Sequence, residues 1–116
     1  MKISDLQREA FDAAKARGFH SEKPEIWKFL GNLHSEVSEA WEEARQPDFD
    51  PARTYYSSGD GPGPLAKPEG LPSELADIMI RCADTAQTFG IDLEAAIVEK
   101  MAYNATRPHR HGGKRA

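Results

Sequence analysis

The sequence predicts an all-α protein, a bundle of four helices. Apolar residues recur at helical spacing in four separate segments, and no segment alternates apolar and polar residues as a half-buried strand would. The prolines fall between the segments or at their ends rather than inside them. With 116 residues, the chain fits one domain, 1–116. So small a core gains from association with a second copy.

The first helix is expected from about Asp5 to Ala16. Ser4 and Gln7 have capping-box spacing, Leu6, Ala10, Ala13 and Ala14 repeat at helical period, and Gly18 follows as a stop. The second begins near Pro24, a residue suited to a first helical turn. Its stripe is Ile26, Phe29, Leu30, Leu33, Val37, Ala40, Trp41 and Ala44, and it ends before Pro47. From 46 to 71 the period vanishes in a Pro-, Gly-, Ser- and Asp-rich stretch, which reads as a long loop. Loops of that length in small domains are functional lids or disordered segments.

The third helix is expected from Pro72 to Phe89. Leu75, Ile78, Met79, Cys82, Ala83, Ala86 and Phe89 form its apolar face, widened by Ala76 and Ile80. Such a face predicts a central helix, buried on more than one side. Gly90 supplies a stop and Asp92 a cap for the fourth helix, Leu93 to Thr106, which Pro108 halts.

Composition narrows the function classes. Charged residues make up 29% and hydrophobic ones 39%, as in an ordinary globular protein. No apolar run approaches the roughly 20 residues of a membrane span, and the N-terminus turns polar at Lys2. Cys82 is the single cysteine, so a cytoplasmic protein is expected. A net charge of −4 argues against a nucleic-acid binder. Acids crowd between Glu36 and Asp50, whereas the last ten residues carry Arg107, Arg110, Lys114 and Arg115 and no acid. The tail at 108–116 reads as a mobile basic segment, its His109 and His111 included.

Two acidic pairs stand out. Glu36 and Glu39 lie three apart on the second helix, and with Asn32 and Glu43 they form a strip beside its apolar stripe. Glu74 and Asp77 repeat the spacing on the third helix, followed on the same side by Arg81 and Asp84. Carboxylates from two facing helices can converge on a hard, oxygen-preferring cation such as Mg²⁺. A solvated acidic face would give the same pattern, so spacing alone leaves the two readings level. On the fourth helix Leu93, Ala96 and Ile97 mark an inward face, which Lys100, Asn104 and Arg107 continue. Cations facing inward need acidic partners or a ligand's phosphates, unless they snorkel to solvent at the helix end.

These segments resemble the MazG-like nucleoside triphosphate pyrophosphohydrolases. Leu33-His34-Ser35-Glu36-Val37-Ser38-Glu39 is similar to their E-x-x-E segment, and Glu74-Leu75-Ala76-Asp77 to their E-x-x-D segment. Gly90-Ile91-Asp92-Leu93, followed by Lys100, Tyr103-Asn104 and Arg107-Pro108, is similar to their closing helix and tail. The resemblance implies the all-α NTP pyrophosphohydrolase fold, completed as a homodimer or homotetramer. It implies Mg²⁺, with Mn²⁺ able to substitute, on Glu36, Glu39, Glu74 and Asp77. It implies cleavage of a nucleoside triphosphate between the α and β phosphates, with Lys100, Asn104, Arg107 and Lys114 around the substrate. Ser35 stands where many members have another acid, and the loop between the acidic motifs is longer than is common.

Glu39 and Glu43 are the candidates to orient or deprotonate the attacking water. Trp27, Tyr55 and Tyr56 are candidates for contact with a base; Trp41 and Cys82 are expected in the core, and His34 is expected to be packed or hydrogen-bonded. The competing reading is a non-catalytic helical interaction module with solvated acidic faces. Within the enzyme reading, a broad housekeeping activity and a narrow dUTP or dCTP hydrolase both stay open.

Overall fold

The computed structural model describes residues 1–20, 22–57 and 66–108, and among these the chain is mostly helical. Helix α1 spans Ile3–Ala16, α2 Ile26–Ala44, α3 Leu71–Thr88 and α4 Leu93–Ala105, close to the expected positions. The start of α1 differs in its cap. Asp5 Oδ2 accepts the Lys2 backbone N–H at 3.1 Å, so Ser4 lies inside the first turn. Asp92 caps α4 as expected, accepting the Ala95 N–H at 3.1 Å.

The stretch expected to be a featureless loop contains a short hairpin. Strand β1 (Tyr55–Ser57) pairs antiparallel with β2 (Lys67–Glu69), Tyr55 opposite Glu69 and Ser57 opposite Lys67. Three residues are too few to show an alternating pattern, and Pro68 would ordinarily argue against a strand. A two-stranded ribbon has only edges, where Pro is tolerated.

Helix α3 packs against both α1 and α2, as its wide apolar face requires. The most buried apolar residues are alanines: Ala10 and Ala14 of α1, Ala40 of α2, and Ala83 and Ala86 of α3. Small side chains at these crossings leave little apolar volume between the helices, so larger neighbours are only half-covered. Beside them runs an aromatic row. Phe11 packs on His20 with centroids 4.6 Å apart, His20 on Phe29 at 5.8 Å, and Phe29 meets Phe89 edge-on at 5.2 Å. Gln7 is buried as well: its amide donates to the Ile91 carbonyl at 2.9 Å, and its oxygen accepts from Leu93 N–H at 3.3 Å. That residue ties α1 to the turn before α4.

Helix α4 departs from expectation. It rests against α1 and buries none of its side chains. Val98, Met101 and Tyr103 are all more than half exposed. Trp41, expected in the core, is 60% exposed, with the Arg45 guanidinium 4.7 Å above its ring. Ile26, Leu30, Val37, Leu75 and Met79 are exposed too. The amphipathic stripes are present, but one chain supplies a covering layer for only part of them. The radius of gyration, 17.0 Å, exceeds the roughly 13 Å of a compact domain of this length. No described helix is long and apolar enough to cross a membrane.

Candidate metal centre and adjoining cavity

The E-x-x-E and E-x-x-D segments meet where α2 crosses α3. Glu36, Glu39 and Glu74 each offer a carboxylate oxygen, and these oxygens lie within 4.8 Å of one another. Glu36 is buried, Glu74 half-buried and Glu39 exposed, so the group runs from the interior to the surface. Asp77, one turn along α3 from Glu74, borders the same cavity as Glu36 but stands outside this tight set.

The cluster is electrostatically uncomfortable. Like charges about 5 Å apart repel by roughly 3 kcal/mol at an effective dielectric of about 20, less where solvent reaches them. The cation in direct contact is Arg81, whose Nε donates to Glu36 Oε1 at 2.9 Å. A single guanidinium does not neutralise four carboxylates. The Glu39 carboxyl is accordingly pushed above its ordinary range, first by its hydrogen bond with Glu36 and then by burial. Burial raises Glu74, helped by Glu39, Asp77 and Glu36. Burial and Glu36 raise Asp77 against the pull of Arg81, Lys67 and Arg17. Two oxygens, Glu36 Oε2 and Glu74 Oε2, are buried with no hydrogen-bond partner among the described residues. A buried carboxylate oxygen left unpaired costs on the order of 1–3 kcal/mol, a cost that either a water molecule or a bound cation would offset.

The hairpin fixes the entrance to α3. Gly70, the α3 cap residue, has φ 104° and lies against the Arg53 carbonyl so closely that a Cβ would collide with it. Its own carbonyl accepts the Glu74 N–H at 3.1 Å. Only glycine satisfies both demands, the left-handed backbone and the close approach. The hairpin also reaches α2: Tyr55 OH donates to Glu43 Oε2 at 3.1 Å, which raises the phenol's pKa. Tyr55 is therefore engaged with an acid at the end of the strip, whereas Tyr56 and Trp27 are largely exposed.

Beside the carboxylates, a cavity of about 420 Å³ opens between α1, α2 and α3. Glu36, Asp77 and Arg81 form one wall; Ala10, Ala13, Phe29 and Ile80 supply apolar surface; Arg17, Lys23 and Lys28 also border it. Within it His20 Nε2 and Asp84 Oδ1 are 2.9 Å apart, both side chains largely buried. Sequence reading passed over His20, because a histidine in a short connection carries no periodic signal. Asp84 was recognised only as a continuation of the acidic side of α3. Asn32, placed on the acidic strip by its spacing, lines the cavity as well.

The expected substrate-side residues do not join this site within one chain. Lys100 and Asn104 are exposed, correcting the inward placement read from spacing, and Lys100 Nζ sits 5.3 Å from the Tyr103 ring centroid. Neither they nor Arg107 line the cavity. The part of α4 that carries Lys100 and Asn104 is left uncovered by the described residues. Lys114, His109 and His111 lie outside the described residues. His34 is exposed. Cys82 is half-buried and its thiol pKa is raised by burial, consistent with an unreactive packing residue. No family model, no curated protein and no solved structure matches the chain.

Proposed function

We propose that the protein is a cytoplasmic, Mg²⁺-dependent nucleoside triphosphate pyrophosphohydrolase of the MazG-like kind, releasing a nucleoside monophosphate and pyrophosphate. One observation carries the reading: a three-carboxylate cluster from two helices contains two buried oxygens, on Glu36 and Glu74, that lack partners among the described residues. Oxygen donors in this number suit Mg²⁺, which takes a few carboxylates and completes its shell with phosphate and water; Mn²⁺ accepts the same donors. The adjoining cavity offers room for the remainder of a nucleotide.

Mg²⁺, when bound, supplies charge neutralisation, polarisation at phosphorus and a more acidic water. The chain's own residues do the rest. Glu36, Glu39 and Glu74, with Asp77 beside them, would hold the ion, and Arg81 fixes the orientation of Glu36. Glu39 and Glu43 are the candidates to take a proton from the attacking water. Glu39 is made the more basic by its neighbours, while Glu43 is held by Tyr55.

Lys100, Asn104 and Arg107 reach the phosphates from a second copy in this account. The bare apolar residues of α2, α3 and α4 support a homodimer, or a tetramer of two dimers, in which one copy's α4 approaches the other's carboxylates. The same exposed residues favour the second reading, a helical interaction module without catalysis. The two separate in one experiment. Purified protein is given Mg²⁺ and a panel of nucleoside triphosphates, in parallel with Glu39→Gln and Asp77→Asn. The enzyme reading expects turnover in the wild type and its loss in both variants, with helicity retained. Absence of turnover, together with no Mg²⁺- or nucleotide-induced rise in melting temperature, points to the module.

A further inference from the structure

We propose that Tyr55, carried by the hairpin, is a positioning residue of the site: its hydroxyl fixes Glu43 to take the proton from the attacking water, which leaves Glu39 to the ion. The inference rests on the pyrophosphohydrolase reading and decides between the two candidate bases that reading leaves open.

A proton acceptor must lie beside the ion without holding it. An adjacent cation favours the charged form of a carboxyl, so a carboxylate that holds Mg²⁺ becomes a poorer base. Glu36, Glu39 and Glu74 supply the three oxygens that lie within 4.8 Å of one another, and Glu43 is not among them. Glu39 owes its raised pKa in the metal-free protein first to Glu36, and an ion held between the two reverses that effect. Glu43 follows Glu39 one turn along the same strip of α2. Its charge is near enough to the cluster to help raise Glu74. Glu43 is half-buried, whereas its neighbour Glu42 is exposed and paired with Arg45 at 3.2 Å.

The phenol sets Glu43 apart from the other acids. Tyr55 OH donates to Glu43 Oε2 at 3.1 Å, and Glu43 Oε1 makes no hydrogen bond among the described residues. A cavity of about 230 Å³ bordered by Glu43, Arg53 and Tyr55 admits water on that side. One oxygen is thus anchored and the other left for water, as when a third group orients a general base. The anchor is itself held. Tyr55 pairs with Glu69 across the hairpin, and the Arg53 guanidinium lies 5.3 Å from its ring centroid. Gly70 seats against the Arg53 carbonyl and accepts the Glu74 N–H, while Ser73 Oγ donates to the Pro68 carbonyl at 3.1 Å. The same few residues therefore place both Glu74 and the phenol that orients Glu43.

In the step itself, the water oxygen bonds to phosphorus and its proton passes to Glu43 Oε1. The Pα–O–Pβ bridge breaks, and its electron pair stays on the leaving phosphate oxygen. Glu43 then returns the proton to solvent.

The test uses Glu43→Gln, Tyr55→Phe and the double variant. Tyr55→Phe keeps the ring and the pairing with Glu69, so it removes the hydroxyl alone. Turnover is measured as kcat and KM, Mg²⁺ affinity by calorimetry, and the Tyr55 phenol by NMR titration of the metal-free protein. Glu43→Gln should lower kcat about 100-fold or more, the range of a lost general base, with Mg²⁺ affinity within about threefold of wild type. Tyr55→Phe should lower kcat about fivefold, leave KM and Mg²⁺ affinity unchanged, and cost nothing further once Glu43 is Gln. A residue that only stabilised the fold would cost the same in both backgrounds. The bond to Glu43 is the chief cause of the raised Tyr55 pKa, so the phenol should titrate at lower pH in Glu43→Gln.

A loss of kcat under about tenfold in Glu43→Gln would overturn the inference. So would a fall in its Mg²⁺ affinity like that of Glu39→Gln, an equal cost of Tyr55→Phe in both backgrounds, or an unmoved phenol titration. Any of these in a wild type that turns over leaves the hydrolase reading standing. A wild type that releases no pyrophosphate overturns both.

Discussion

The side of the molecule where α1, α2 and α3 meet is packed within one chain, while the side formed by α4 and the outer faces of α2 and α3 leaves large apolar residues exposed. On the first side alanine crossings, the Gln7 bridge and the Phe11–His20–Phe29–Phe89 row set side chains at fixed distances. Carboxylates there are close enough to raise one another's pKa values. On the second side Trp41, Val98, Met101 and Tyr103 are each more than half exposed. Charge is divided in the same way. The anions are gathered within the chain, and the cations proposed to answer them sit on the exposed side. Within one chain the acidic motifs come together while Lys100 and Asn104 stay exposed and away from them.

The largest expected effect breaks the acidic cluster. Glu39→Gln should lower kcat/KM by about 10³ or more, equivalent to roughly 4 kcal/mol of lost transition-state stabilisation. Its melting temperature without metal should not fall, because a repulsive charge has been removed. Activity assays beside thermal melts check both.

Joining the two sides in trans gives the next test. If carboxylates and Lys100 come from different copies, mixing inactive Glu39→Gln with inactive Lys100→Ala should restore about a quarter of wild-type activity in a randomly mixed dimer. Half of those dimers are mixed, and each mixed dimer holds one intact site of two. No recovery after subunit exchange would place Lys100 in the same chain's site or outside it.

A smaller effect concerns the hinge of the packed side. Gly70→Ala should cost about 1–3 kcal/mol through its left-handed backbone, and more through the collision with the Arg53 carbonyl. Displacement of the α3 start would also weaken Mg²⁺ affinity through Glu74. Chemical denaturation and metal titration read the two effects separately.

The dependence on pH follows in sign from the raised carboxyls. Glu39, Glu74 and Asp77 bind protons more readily folded than unfolded. The metal-free fold therefore loses stability as pH rises from the ordinary carboxylate range through those raised values. Mg²⁺ must displace the same protons, so the Mg²⁺-induced rise in melting temperature should grow over that window. A shift of constant size across it would show that these carboxyls do not hold the ion. The smallest effect is expected for Tyr55→Phe, about 1 kcal/mol or less from one hydrogen bond to Glu43, with a modest change in turnover.

How much was legible in the sequence follows from what periodicity encodes. Helix positions and the convergence of Glu36, Glu39 and Glu74 were readable, because spacing of three places side chains on one face and apolar stripes say which faces meet. Arg81 could be placed on the acidic side, but its bond to Glu36 needed the α2–α3 crossing. His20 and the hairpin were not legible: each depends on contacts across many residues and has no local period. Trp41 and Lys100 were misplaced for a common reason. An apolar or inward face says that something covers it, but not whether the cover comes from the same chain.

The central claim is that these carboxylates serve triphosphate hydrolysis between the α and β phosphates. It is tested most directly by ³¹P NMR of the products formed from nucleoside triphosphates with Mg²⁺. Equimolar nucleoside monophosphate and pyrophosphate are expected, with neither formed by Glu39→Gln. Formation of nucleoside diphosphate and orthophosphate, or product from the variant at the wild-type rate, would contradict it.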